Sequence, residues 1–162
     1  MGKMFGKKIM SVKEFNGADI FEVEAEALGH GCNIRGVAGG LAGKVFDRHP
    51  EMRERYKSGC RNSDFNPGEV YIYKNADDMG KPFWYIYNLF SQIKPGANAD
   101  LELLRSSLLK MRDHMKLCSV KSVNIPQIGC GIGGLNWEDV RPLLEEIFGP
   151  EEDLVLQIIL RK

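Results

Sequence analysis

His30-Gly31-Cys32-Asn33-Ile34-Arg35-Gly36-Val37-Ala38-Gly39-Gly40-Leu41-Ala42 joins an apolar, strand-like run to a segment of helical character, and it is crowded with glycine. A second such stretch is Ile125-Pro126-Gln127-Ile128-Gly129-Cys130-Gly131-Ile132-Gly133-Gly134-Leu135-Asn136-Trp137. The chain has 18 glycines in 162 residues, against about 7% in an average protein. More than half of them fall in two windows, Gly29 to Gly43 and Gly129 to Gly134. Each window follows a strand and precedes a helix. In an open α/β sheet, ligands bind at the carboxyl ends of the strands. Glycine there lets backbone N–H groups approach an anion, and the helix N-terminus behind adds a favourable dipole. Two such loops suit a diphosphate with a sugar on each side.

The surrounding pattern agrees. Lys8 to Phe15 alternates as a first strand, and Asn16-Gly17 breaks it. Glu24 to Cys32 reads as a second strand. Ala42 to Arg48 is helical, and His49-Pro50-Glu51 restarts a helix with proline at its first position, ending near Ser58-Gly59. Val70 to Tyr73 is a β-type run after the turn Asn66-Pro67-Gly68, and Asp77 to Lys81 is a polar connection. Phe83 to Phe90 is the continuous apolar run of a strand buried on both faces. Leu101, Leu104, Leu108, Met111 and Met115 form one helical stripe with Asp100 as its N-cap. Val120 to Ile125 is a strand. Asn136 starts a helix through Phe148, with Asp139 placed as in a capping box, and Gly149-Pro150 stops it. Leu154 to Leu160 is a last strand. The alternation predicts one α/β domain with a mixed, mostly parallel sheet of six strands covered by helices. No internal repeat and no long linker divides residues 1–162.

Lys+Arg and Asp+Glu are both 22, for a net charge of +0. A broad nucleic-acid or anionic-membrane footprint needs a large positive excess and is not expected. No apolar run approaches the roughly 18 residues of a membrane span. The Met- and Lys-rich start lacks a signal-peptide core, and Lys3, Lys7, Lys8 and Lys13 read as a solvated basic tail. The four cysteines have no zinc-knuckle or C-x-x-C spacing. Reduced thiols, a cytoplasmic address, a monomer, and no metal or cofactor are expected. Gly129, Gly131 and Gly134 satisfy a bare G-x-G-x-x-G, but no acidic ribose ligand follows about 20 residues on. A nucleotide-triphosphatase P-loop is absent.

Both glycine stretches resemble the two ligand loops of macro domains. Gly17-Ala18-Asp19-Ile20 is similar to that family's G-[DN]-[IL] start, and Tyr87-Asn88-Leu89-Phe90-Ser91-Gln92 to the strand between the loops. The resemblance spans roughly residues 9–160. The similar groups are the yeast-type ADP-ribose 1″-phosphate phosphatases, the terminal (glutamate-linked) ADP-ribose hydrolases and the DNA-ADP-ribose hydrolases of toxin–antitoxin pairs. The resemblance implies a three-layer α/β/α fold that binds ADP-ribose, free or attached to protein. It implies that Asp19 meets the adenine amino group, with Ile20 as its backbone neighbour. Asn33, Gly39 and Gly40 would cradle the distal ribose, with Ser91 and Gln92 beside it. Gly129, Gly131, Ile132, Gly133 and Gly134 would wrap the diphosphate.

Two positions depart from the hydrolase pattern. Gln92 stands where those groups carry a lysine, with Lys94 two residues away, and Gly133 stands where the glutamate-type hydrolases carry an aspartate. A lysine-based Schiff base is therefore not available at Gln92. His30, with Asn33, is the remaining chemical candidate, as general base or nucleophile on a terminal phosphate. Each residue also has a plainer reading. Asp19 could cap a helix, His30 could be a buried structural histidine, and Asn33 could satisfy loop backbone. Cys130 reads as a small buried residue, and Gln92 as a ligand-orienting or a solvated group. Three functions follow: an ADP-ribose 1″-phosphate phosphatase, a non-catalytic ADP-ribose reader, and an ADP-ribosyl hydrolase working without the lysine and aspartate.

Overall fold

The computed structural model describes residues 11–75 and 83–161. The elements in chain order are β1 (Val12–Asn16), β2 (Ala27–Asn33), α1 (Gly40–Arg48), α2 (Pro50–Arg61) and β3 (Val70–Lys74). There follow β4 (Tyr85–Gln92), α3 (Leu101–Leu117), β5 (Ser122–Ile125), α4 (Trp137–Phe148) and β6 (Val155–Leu160). The strands form one sheet in the order β1-β6-β5-β2-β4-β3. Its neighbours run parallel except β3, which pairs antiparallel with β4. This is the mixed, mostly parallel six-stranded sheet expected from the alternation of elements.

The period of two along the strands sorts side chains onto two cores. Tyr87 and Leu89 of β4 join Leu104, Leu108, Met111 and Met115 of α3 and Val140, Leu144 and Phe148 of α4. Ile86 and Phe90 of the same strand face the other way, onto Val45 and Phe46 of α1 and Met52 and Tyr56 of α2. The result is three layers, α/β/α. The 101–115 stripe is core as read, and each of its buried side chains contributes roughly 1.5–3 kcal/mol of burial. The oxygen Oδ1 of Asp100 accepts from the N–H groups of Glu102 at 2.9 Å and Leu103 at 3.1 Å, so the cap of α3 is formed.

Several boundaries differ from the sequence reading. The second strand begins at Ala27, not Glu24. Residues 20–22 form the short turn expected at Ile20-Phe21, and Glu24 to Glu26 stay outside the strand; buried amides of the sheet hold this segment down. The Nδ2 of Asn124 donates to the carbonyls of Ile20 (3.2 Å) and Val23 (2.7 Å), and the Nε2 of Gln157 donates to that of Glu24 (3.0 Å). Helix α2 runs on to Arg61. The capping box at α4 does not form: the Asn136 side chain makes no cap bond, although its carbonyl accepts from the Asp139 N–H at 2.9 Å. The expected strand residues Lys8 to Met10, the tail 1–7 and the connection Asp77 to Lys81 lie outside the described residues. All four cysteines are free thiols. Among the described residues, no helix is long and apolar enough to cross a membrane.

Candidate functional site

A cleft of about 1350 Å³ opens at the carboxyl ends of the parallel strands. Its lining includes Asp19, Ile20, His30, Asn33, Gly39, Gly40, Ser91, Gln92, Gly129, Gly131, Ile132 and Gly133. Of the residues expected at the site, only Gly134 falls outside that lining. It serves the second loop from behind, at φ +82 with its N–H donated to the Gly131 carbonyl.

The first loop is built on Asn33. Its Oδ1 accepts from the N–H groups of Arg35 (2.9 Å) and Val37 (3.4 Å), and its Nδ2 donates to the Val37 carbonyl (2.7 Å). The Tyr56 hydroxyl donates to the Asn33 carbonyl at 2.8 Å and lies 3.2 Å from its Oδ1. Asn33 is 7% exposed, so the plainer reading, a side chain that satisfies loop backbone, describes its present bonds. These bonds bring Gly39 and Gly40 to the start of α1, where Gly39 supplies no side-chain cap. The helix therefore presents its first N–H groups without an internal competitor.

The second loop faces the first. Its backbone is tied internally, Leu135 N–H to Gly129 O at 2.8 Å and Cys130 N–H to Gln127 O at 3.1 Å. Ile132 is 60% exposed, and its Cδ1 reaches over Gly39 and Gly40. A Cβ on Gly40 would lie 2.9 Å from that atom, so the two loops meet at an isoleucine set against glycine. At Gly133 a Cβ would stand 2.7 Å from the Gly129 carbonyl oxygen and 2.9 Å from the Ala99 Cβ. The loop as folded has no room for an aspartate there. The N-terminus of α4, like that of α1, carries no side-chain cap.

At the β1 end, Asp19 is exposed. One carboxylate oxygen, Oδ1, accepts from the Phe21 N–H at 2.9 Å and so caps the turn. The other oxygen has no partner among the described residues and is open to a donor in the cleft. The capping and binding readings are thus compatible, one oxygen for each.

Ser91 sits at an irregularity. The pairing of β2 with β4 steps from Cys32↔Phe90 to Asn33↔Gln92, leaving Ser91 as the extra residue of a bulge. Bulges of this kind re-aim a side chain next to a site. The Ser91 hydroxyl is buried without a hydrogen-bond partner, and a Cβ on Gly31 would stand 2.9 Å from it. Gln92 turns back on its own loop, its Nε2 donating to the carbonyls of Lys94 (2.6 Å) and Gly96 (2.9 Å). Lys94 does not line the cleft.

His30 projects toward α1. Its ring is 1% exposed and packs edge-on against Phe46 at 5.4 Å. Its Nε2 lies 2.6 Å from the Oδ1 of Asn88, whose Nδ2 donates to the Tyr71 carbonyl at 3.0 Å. An acceptor at Oδ1 assigns the proton to Nε2. Burial pulls the imidazole down from 6.5 to about 4, against the opposing Asn88 bond, and His49 lowers it further. The ring is neutral near pH 7. Burial also pushes the Cys130 thiol up to about 11, with Asp139 adding to the shift, so a thiolate nucleophile is not favoured there.

Sequence reasoning missed Asn124, Gln157 and Asn88. Each is an amide set in an otherwise apolar strand, and that exception to the pattern was the available signal.

Comparison with known proteins agrees with this geometry. The family model for the Macro domain matches residues 30–144. The chain is 28% identical over 145 residues to a DNA ADP-ribosyl glycohydrolase of Mycobacterium tuberculosis, covering 88% of this chain and 41% of that protein. It thus spans about two-fifths of the length of that relative. It is 29% identical over 151 residues to an ADP-ribose 1″-phosphate phosphatase of Lodderomyces elongisporus, covering 85% of this chain and 93% of that one. The solved structure of Thermosipho africanus DarTG in complex with ADP-ribose superposes with a TM-score of 0.78 at 24% identity, covering 88% of this chain and 39% of that one. The matched span takes in both glycine loops and most of the sheet, and the chain belongs to the macro domain family.

Proposed function

We propose that the cleft binds ADP-ribose, and that binding is the activity its geometry supports best. The observation that carries this reading is the pair of glycine loops, each backed by a helix start without a side-chain cap and bridged by Ile132. That arrangement offers backbone donors to a diphosphate. The open oxygen of Asp19 would accept from the adenine amino group. Gly39 and Gly40 would approach the distal ribose, with Asn33 holding the loop in shape. Three observations favour recognition over turnover. Gln92 is bound to its own loop, the Gly133 backbone has no room for a carboxylate side chain, and His30 is buried, neutral and hydrogen-bonded to Asn88.

A second reading is release of phosphate from ADP-ribose 1″-phosphate. It is favoured by the likeness to the phosphatase over nearly its whole length and by the His30-Gly31-Cys32-Asn33 order. In that reading backbone donors hold the phosphate for attack by water, and His30 supports the end of β2. Titration with ADP-ribose tests the binding reading. Phosphate release from ADP-ribose 1″-phosphate, compared between wild type and His30→Gln, tests the second. Binding without release leaves the reader; release at equal rates in both proteins keeps the phosphatase and removes His30 from its proton transfers.

A further inference from the structure

The charged residues lining the cleft are Asp19, Lys44, Asp47, Arg48 and Arg161. Both glycine loops are without charge on their cleft-lining residues, so the lining charge lies on α1 and at the β1/β6 end. Two contacts tie the arginines to the same turn. The Gly17 N–H donates to the Leu160 carbonyl at 2.9 Å, so Arg161 leaves β6 beside Gly17 to Asp19. The Arg48 guanidinium lies 3.8 Å from the centroid of the Phe21 ring, a residue of that turn. Lys44 is one helical turn before Arg48 on α1. Among the described residues, Lys44, Arg48 and Arg161 make no ion pair, whereas Asp47 is paired with Arg53 at 3.1 Å.

Arg48 and Arg161 thus stand at the turn that carries Asp19, with Lys44 one helical turn from Arg48 in the same cleft lining, and the reading above puts at Asp19 an adenosine that carries no charge of its own. The diphosphate has backbone donors elsewhere. These cations are surplus to ADP-ribose, and guanidinium groups are suited to phosphate oxygens. We propose that this end of the cleft selects ligands that carry a further phosphate on the adenosine ribose. The inference rests on the ADP-ribose reading and names the substrate class within it. The phosphate could sit on the 2′-hydroxyl, as in nicotinamide dinucleotide phosphates, or on the 3′-hydroxyl. Both sources share one chemistry, an exposed dianion within reach of Arg48, Lys44 and Arg161.

The test is calorimetric titration with ADP-ribose and with its 2′-phosphate. Adenosine 2′,5′-bisphosphate and adenosine 3′,5′-bisphosphate, each compared with AMP, separate the two hydroxyls. The expected result is roughly tenfold tighter binding of the phosphorylated member, the worth of one charge-assisted hydrogen bond. That gain should shrink as salt is raised and disappear in Lys44→Gln/Arg48→Gln/Arg161→Gln. The three side chains are exposed, so the variant should stay folded, and unchanged affinity for ADP-ribose would confirm that its cleft is intact. Equal or weaker binding of every phosphorylated probe overturns the proposal while leaving ADP-ribose binding in place. A gain that survives in the triple variant also overturns it. No binding of any probe by the folded wild type removes the ADP-ribose reading as well.

Discussion

Gly133 and His30 show how single residues constrain the chemistry. Gly133 is required by the backbone around it, since a Cβ would meet a carbonyl oxygen and the Ala99 methyl at once. Gly133→Asp should therefore destabilise the fold by about 1–3 kcal/mol, the usual cost of overpacking, and lower the melting temperature by several degrees. Thermal unfolding of the variant checks this, and a wild-type melting temperature would show that the loop readily makes room. His30 gives a pH signature. Its pKa is about 4 in the folded chain and near 6.5 in the unfolded one. Between those values only the unfolded state takes up the proton, so stability must fall as pH drops from about 6.5 to about 4, by up to about 3 kcal/mol. Below pH 4 both states are protonated and the loss levels off. Urea midpoints across this range should decline for wild type and decline distinctly less for His30→Gln. A parallel decline would place the proton-sensitive group elsewhere.

Helix starts separate what the sequence specifies locally from what the tertiary structure decides. Asp100 and Asn136 both precede an apolar stripe, and both are good N-cap residues. Only Asp100 uses its side chain. Asp100→Ala should cost about 1 kcal/mol, whereas Asn136→Ala should cost close to nothing, because no cap bond is lost. Paired urea titrations measure the difference, and equal losses would contradict the observed caps. The stripe of α3 and the apolar run of β4 were legible because period and burial coincide in them. The start of β2 was not, since Glu24 to Glu26 continues a plausible strand pattern. What ends the strand is distant in sequence: Asn124 and Gln157 capture the carbonyls of Ile20, Val23 and Glu24. The bulge at Ser91 was equally hidden, because it depends on the register between two strands rather than on either strand's composition.

At the scale of the whole molecule, the two glycine windows lie far apart in the chain, and the parallel sheet brings them together at one end. Their position after a strand and before a helix could be read from the sequence. Their meeting at Ile132 and Gly40, and the confinement of cleft-lining charge to α1 and the β1/β6 end, required the fold. The direct test is calorimetric titration of ADP-ribose into the wild type and into Asp19→Asn. The asparagine Oδ1 can still cap the Phe21 N–H, but its amide presents donors where the free carboxylate oxygen stood. Saturable one-to-one binding by the wild type is predicted, weakened roughly tenfold or more in the variant, since a hydrogen bond to a charged acceptor is worth about 1.5–3 kcal/mol. No saturable binding by folded wild type, or equal affinity in the two proteins, would contradict the assignment of this cleft.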